Sequence, residues 1–277
     1  MSSTNQSAFE AGIVDACTKH KQAHWKEDDY RTCVSMDTGH FVKFGTPWAI
    51  WPEIATHSHI SEYAQSHADT PGTPRIAKVI HHFGYQRTMY MVMEAITLIE
   101  PPPDLPERTA EAVRWLSGVP APAEHVFGPL GGGVIRHSFF KDYKAPLVFS
   151  SIEALERYIE KARPLSSSKL AKKQVEHVSL SGERLMFMQP DMHPSNFGVD
   201  EHGNTVLMDF GEIAMLPESF VAYTLLKRHA ALATSLGLSR SSNVASMARI
   251  SSFLWIVADA TLGLDEDGYP KKSIRKR

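Results

Sequence analysis

The chain has 277 residues, 29 Lys and Arg against 31 Asp and Glu, and a formal net charge of −2. Length alone suggests about two domains or two lobes, and 43% hydrophobic with 22% charged residues is ordinary globular usage. The balanced charge argues against a nucleic-acid partner, and two cysteines, Cys17 and Cys33, make neither a disulfide framework nor a zinc cluster. The first residues lack the basic and apolar regions of a secretory peptide. The apolar stretch 252–264 is too short to span a bilayer and is interrupted by Asp259. A cytoplasmic protein with no membrane partner is the expectation. The basic run 271–277 reads as a solvated terminus or as a signal for nuclear entry.

In chain order, residues 1–29 read as polar coil with a short helix. Segment 30–36 is rich in strand formers, Asp37-Thr38-Gly39 makes a turn, and 40–44 continues as a second strand. Residues 52–67 read as a helix with Pro52 in its first turn and Ile54, His57 or Ser58, Ser61 and Ala64 on one face. Segments 76–83 and 88–94 are apolar strands joined by a short hairpin loop at 84–87. Pro101-Pro102-Pro103 marks a composition break, after which the periodicity turns helical. Residues 105–116 form one helix, and Ser150 with Glu153 has capping-box spacing before a second, striped by Ile152, Leu155 and Ile159. Another helix is expected at 170–178, then strands at 185–188, 197–199 and 205–208, with a turn at 200–204. Two or more helices, interrupted near 237–242, fill 219–264.

The chemistry concentrates in two short motifs. Asp191 is followed five positions later by Asn196, and Asp209-Phe210-Gly211 follows after a hairpin. With 13 Asp and 4 Asn in 277 residues, one Asp-x-x-x-x-Asn pair is expected about 0.2 times by chance. Asp-Phe-Gly, from 13 Phe and 17 Gly, is expected about 0.04 times. Together and in this order they fit phosphoryl transfer. The first Asp orients or deprotonates an acceptor hydroxyl, while Asn196 and Asp209 offer hard oxygens to Mg²⁺. As structure alone, the same residues would cap a turn and end a strand, which does not require this order and spacing.

Asp191-Met192-His193-Pro194-Ser195-Asn196 resembles the Asp-Leu-His-Pro-x-Asn catalytic loop of the aminoglycoside phosphotransferase family, within the protein-kinase-like superfamily. Phe41-Val42-Lys43-Phe44 is similar to the strand carrying that family's phosphate-binding lysine. Tyr90-Met91-Val92-Met93-Glu94 is similar to the strand entering the hinge. The likeness spans about residues 30–235, and the overall pattern is also similar to fungal members of the family. It implies an α+β, two-lobe protein-kinase-like fold: a small β-rich N-lobe with one helix over residues 1–96, and a larger, mainly helical C-lobe over 97–277. It implies ATP and Mg²⁺ as cofactors and a small-molecule acceptor with a hydroxyl group. Asp191 would be the catalytic base, and Asn196 and Asp209 the metal ligands. Lys43 would pair the α/β-phosphates with Glu53 as its helix partner and Glu62 in reserve. The adenine would lie against Met93, Glu94 and Ile96.

Three departures bear on activity. No Gly-x-Gly-x-x-Gly precedes Lys43, residues 1–29 do not read as a first strand, and Gln189-Pro190 stands where the family has His-Gly. A catalytically weak or inactive nucleotide-binding scaffold is therefore the alternative. Gly131-Gly132-Gly133 lacks the Lys-Ser/Thr of a P-loop. His193 reads as a prop of its loop, and His57-Ser58-His59 and His81-His82 as packing or surface histidines without metal-ligand spacing.

Overall fold

The computed structural model describes residues 3–125, 127–164, 175–238 and 241–271. Among them are seven α-helices and eight strands, in two compact units. The first comprises Met1–Thr109 with Pro194–Gly211, the second Ala110–His193 with Glu212–Arg277. No helix among the described residues is long and apolar enough to cross a membrane.

The first unit is built on a four-stranded antiparallel sheet, ordered β1-β2-β4-β3: β1 is Cys33–Met36, β2 His40–Gly45, β3 Val79–Tyr85 and β4 Thr88–Glu94. Residues 1–29, expected to be largely coil, contain instead a 22-residue helix, α1, Ser3–His24. It has no proline, and Phe9, Ile13 and Cys17 recur every fourth residue, so one apolar stripe runs along it. Ile13 and Cys17 bury this stripe against Val42, Phe44, Tyr90 and Val92 on one face of the sheet. Helix α2, Pro47–Ser66, covers the other face, packing Ile50 and Ile54 on Met91 and Met93. It starts earlier than predicted, because Pro47 rather than Pro52 takes the first turn, with Thr46 before it. Pro52 sits inside the helix, where its missing N–H and ring are tolerated at a cost. The predicted face is buried at Ile54, His57, Ser61 and Ala64, together with Glu53.

The sheet unit runs past residue 96 and recovers a distant piece of chain. Strands β5 to β8 are Leu185–Met188, Phe197–Val199, Thr205–Leu207 and Ala214–Pro217. The β6–β7 hairpin belongs to the first unit. Ile99 N–H donates to Val199 O (2.9 Å), Arg75 N–H to Thr205 O (2.7 Å), and Leu207 N–H returns to Arg75 O (3.1 Å). Arg75 also donates to the fully buried Asp200 carboxylate at 2.8 Å, which takes further bonds from Asn204 and the His202 backbone. Burial would raise this carboxyl, but its donors hold it at about 2.

Helix α3, Leu105–Ser117, and helix α4, Ile152–Ala162, form as the periodicity requires, with Ala112, Val113 and Leu116 buried in the first and Leu155, Tyr158 and Ile159 in the second. Ser151, not Ser150, caps α4: its Oγ accepts from Ala154 N–H at 3.2 Å, and Ser150 instead donates to Asp267. Of the helix expected at 170–178, residues 170–174 lie outside the described residues and 175–178 are not helical. The basic run beyond Lys271 also lies outside them. Strand β8, not foreseen, pairs antiparallel with β5 in the second unit. Helices α5 (Glu218–Leu225), α6 (Ala230–Ser235) and α7 (Ser242–Leu254) follow. Phe139, Phe140, Tyr158 and Phe220 pack ring on ring at the core of this unit, around the buried His137.

Candidate functional site

Lys43 lies in the middle of β2, opposite Cys33 of β1 and Met91 of β4. Its ammonium meets Glu53 Oε1 at 2.6 Å and Asp209 Oδ1 at 2.8 Å. Glu62 is exposed, so of the two candidate partners the helix supplies Glu53. Burial alone would lower the Lys43 pKa, but the two carboxylates reverse this and hold it above its ordinary value. The partners differ in kind. Glu53 is 7% exposed and Asp209 51%, so the first contact is a protected ion pair. The second is a solvent-screened one, worth about 0–1 kcal/mol. A stronger ligand for the Asp209 carboxylate displaces Lys43 at small cost.

The backbone of Asp209 is left-handed, at φ 56°. A non-glycine residue in that region costs about 1–3 kcal/mol, and such residues gather at functional sites. Neighbours hold it there. Phe210, almost fully buried, packs its ring at a 34° tilt against the His57 ring, 4.2 Å between centroids, and His57 lies one helical turn beyond Glu53. His57 Nε2–H donates to Ala77 O at 2.5 Å, and burial pushes its pKa down to about 4, leaving the ring neutral. Gly211 packs under the same helix: a Cβ there would come within 3.2 Å of Glu53 Oε2. Helix α2 thus touches all three residues of the Asp-Phe-Gly motif or their direct partners.

Asn196 is buried, and its carbonyl accepts from Met208 N–H at 2.9 Å, which sets it beside the strand leading into Asp209. That bond is to the backbone carbonyl; by donor chemistry, an amide oxygen and a half-exposed carboxylate are hard oxygen ligands of the kind Mg²⁺ takes, few in number and completed by water. No group of three His, Cys, Asp or Glu side chains among the described residues could hold a metal.

Asp191 belongs to the second unit, on the loop after β5. It is exposed, and its Oδ1 accepts from His193 N–H at 3.1 Å. Gln189, fully buried, accepts from Asp191 N–H at 3.3 Å through its side chain, so the residue in place of the family's His braces the loop. His193 touches Asp191 through its backbone.

At the end of β4, Met93 is buried in the cluster beneath α2. Glu94 N–H is taken by Lys78 O (3.1 Å) and Ala95 N–H by Gly39 O (3.0 Å), so two of the first N–H groups at the expected adenine edge are spent inside the sheet. Sequence reasoning missed His57 as the partner of Phe210 and Arg75 as the partner of Asp200. The signal for the first was the four-residue step from Glu53. Nothing local signalled the second.

A profile of the family described as the ABC1 atypical kinase-like domain matches residues 150–233, which contain Asp191, Asn196 and Asp209. No curated protein matches the chain. Among solved structures, a protein described as a fructosamine-3-kinase from Haemophilus somnus 129PT is 9% identical, covering 78% of this chain and 76% of that one, with a TM-score of 0.45. An aminoglycoside-3'-phosphotransferase of type VIII is 15% identical over 88% and 96%, with a TM-score of 0.37. A thermostable mutant of another aminoglycoside phosphotransferase is 12% identical over 80% of each chain, with a TM-score of 0.44. The sheet unit with its paired Lys and Glu and the mainly helical second unit make the chain α+β, and the profile match over residues 150–233 is to an atypical kinase-like domain.

Proposed function

We propose that the protein is an ATP- and Mg²⁺-dependent phosphotransferase acting on a hydroxyl of a small molecule, of the aminoglycoside-phosphotransferase type. The observation that carries this reading is the convergence of Lys43, Glu53 and Asp209, 166 residues apart at the extremes, on one ammonium group. A lysine fixed by a protected glutamate is a point charge ready for phosphate oxygens. Asn196 and Asp209 would hold the cation, whose chemistry is to neutralise charge on the phosphates. Asp191 would accept the proton of the acceptor hydroxyl as its oxygen bonds to the γ-phosphorus. The bond from that phosphorus to the bridging oxygen breaks, and ADP leaves. Backbone groups beyond Ala95, at Ile96, would meet the adenine.

A second reading, a nucleotide-binding scaffold with feeble or no catalysis, is favoured by α1 standing before the sheet where a first strand and glycine-rich loop would otherwise cover phosphates. Thermal unfolding with and without Mg-ATP tests the shared part of both readings. At a hundredfold excess over its dissociation constant the nucleotide should add about 2.7 kcal/mol to stability, and Lys43→Ala should abolish this gain. Turnover decides between them. Phosphoryl transfer across a panel of hydroxylated acceptors should fall at least a hundredfold in Asp191→Ala. Binding without turnover above that variant leaves the scaffold.

A further inference from the structure

Away from Lys43, exposed aromatic surface gathers where the first turns of α2 meet β3. Trp48 is 82% exposed, Trp51 44% and Ile80 45%. The Trp51 indole meets the His82 ring edge-on, 5.6 Å between centroids. Strand β3 is the last in its sheet, and no strand lies beyond it among the described residues; its register shifts between Val79 and His81 and runs regularly from His81 to Tyr85. Its side chains divide by face. His81 bonds Glu10 of α1 at 2.8 Å and Phe83 packs on the cluster beneath α1, while His82 meets Trp51 on the α2 side. An edge strand offers unpaired backbone groups to another chain. The indole of Trp51, which meets this strand, and that of Trp48, exposed one turn earlier on α2, are the residue type that anchors interfaces.

We infer that this edge is a docking surface for an extended peptide of a partner protein, apolar at alternate positions and acidic at its ends, which adds as a strand along β3 beside Trp51. Charge selects the occupant. Lys78 immediately precedes β3 and Arg87 follows it in the hairpin, and neither forms an ion pair among the described residues. The carboxylate that reaches this strand, Glu10, is already held by His81. Antiparallel pairing of β3 with the same strand of a second copy would set Lys78 of one chain near Arg87 of the other. Like charges at both ends oppose that pairing, whereas acidic ends on a partner complement it. Alternate side chains of an added strand point to one face, so every second apolar residue would lie on the α2 side, toward the indoles.

The test uses a synthetic peptide of alternating valine and threonine with glutamates at both ends, titrated into the full chain and read by tryptophan fluorescence. Saturable binding is expected. It should weaken at least tenfold when the end residues are lysines, when alternate peptide nitrogens are methylated to block strand pairing, and in Trp48→Ala. Ile80→Glu, which places an acid on the edge, should repel the same peptide while keeping the wild-type melting temperature. Absence of binding, or equal binding of the glutamate- and lysine-ended peptides, overturns the inference. So does a dimer by sedimentation that Trp48→Ala dissolves, since the occupant would then be a second copy. None of these outcomes depends on phosphoryl transfer.

Discussion

Burial separates the two partners of Lys43. Because Glu53 is enclosed and Asp209 is half exposed, the charged hydrogen bond to Glu53 should carry most of the stability, about 1.5–3 kcal/mol. Glu53→Gln is therefore expected to lower unfolding free energy in urea by that amount. Asp209→Asn should cost less than about 1 kcal/mol. Equal losses would show that the two contacts are equivalent. Gly211 makes a second prediction of this kind. Its would-be Cβ meets Glu53 Oε2 at 3.2 Å, so in Gly211→Ala that carboxylate must shift by a few tenths of an ångström beside its bond to Lys43, and a cost of about 1 kcal/mol is expected for the crowding. Chemical denaturation measures it, and Glu53→Gln combined with Gly211→Ala should give less than the sum, since the two share one contact. Lys43 and Glu53 were legible only through the family resemblance, Asp209 through its Asp-Phe-Gly motif. The requirement for glycine at 211 was not, because the atom it avoids lies 158 positions earlier in the chain.

Helix α1 is the element whose length the sequence reading most underestimated. Its mean polarity is high and its apolar stripe narrow, with Phe9, Ile13 and Cys17 set among charged residues. A weak amphipathic pattern becomes a helix because the sheet face of Val42, Phe44, Tyr90 and Val92 needs a cover, and tertiary burial outweighs propensity. Ile13 is fully buried there, so Ile13→Ala should cost about 2–5 kcal/mol, read by thermal or urea unfolding. A change under 1 kcal/mol would mean that α1 is only loosely attached. Pro52 illustrates the opposite error. A proline marks a helix start only when no other proline upstream can take the first turn, and here Pro47 takes it, after a Thr46 that makes no side-chain capping bond. Strand β8 went unseen because four apolar residues have no period of their own, and only their register against β5 makes them a strand.

At the scale of the whole molecule, pH reaches both units through buried histidines. His137 is fully buried, its Nδ1 accepting from Phe139 N–H and its Nε2 bonding Phe220 O and Thr224 Oγ1. Burial lowers its pKa from 6.5 to about 3, and His57 moves in the same direction. Between those values the unfolded chain binds the proton and the folded chain does not, so stability rises with pH in that window. The contribution is complete above the unfolded value and is lost as pH falls below it, at about 1.4 kcal/mol per pH unit for one histidine. Melting temperature should drop steadily from pH 6.5 towards pH 4 in the wild type and less steeply in His137→Gln. Identical slopes would remove His137 from the account. The linear chain singled out Asp191, Asn196 and Asp209-Phe210-Gly211, because these motifs are defined by short spacings that local order alone fixes. It also determined strand and helix type wherever apolar residues kept a clear period. Tertiary structure alone decided that α1 covers the sheet, that Glu53 rather than Glu62 meets Lys43, and that Arg75 meets Asp200. Those outcomes depend on which surfaces and charges remain to be buried once the strands have paired, and that is a property of the packed molecule.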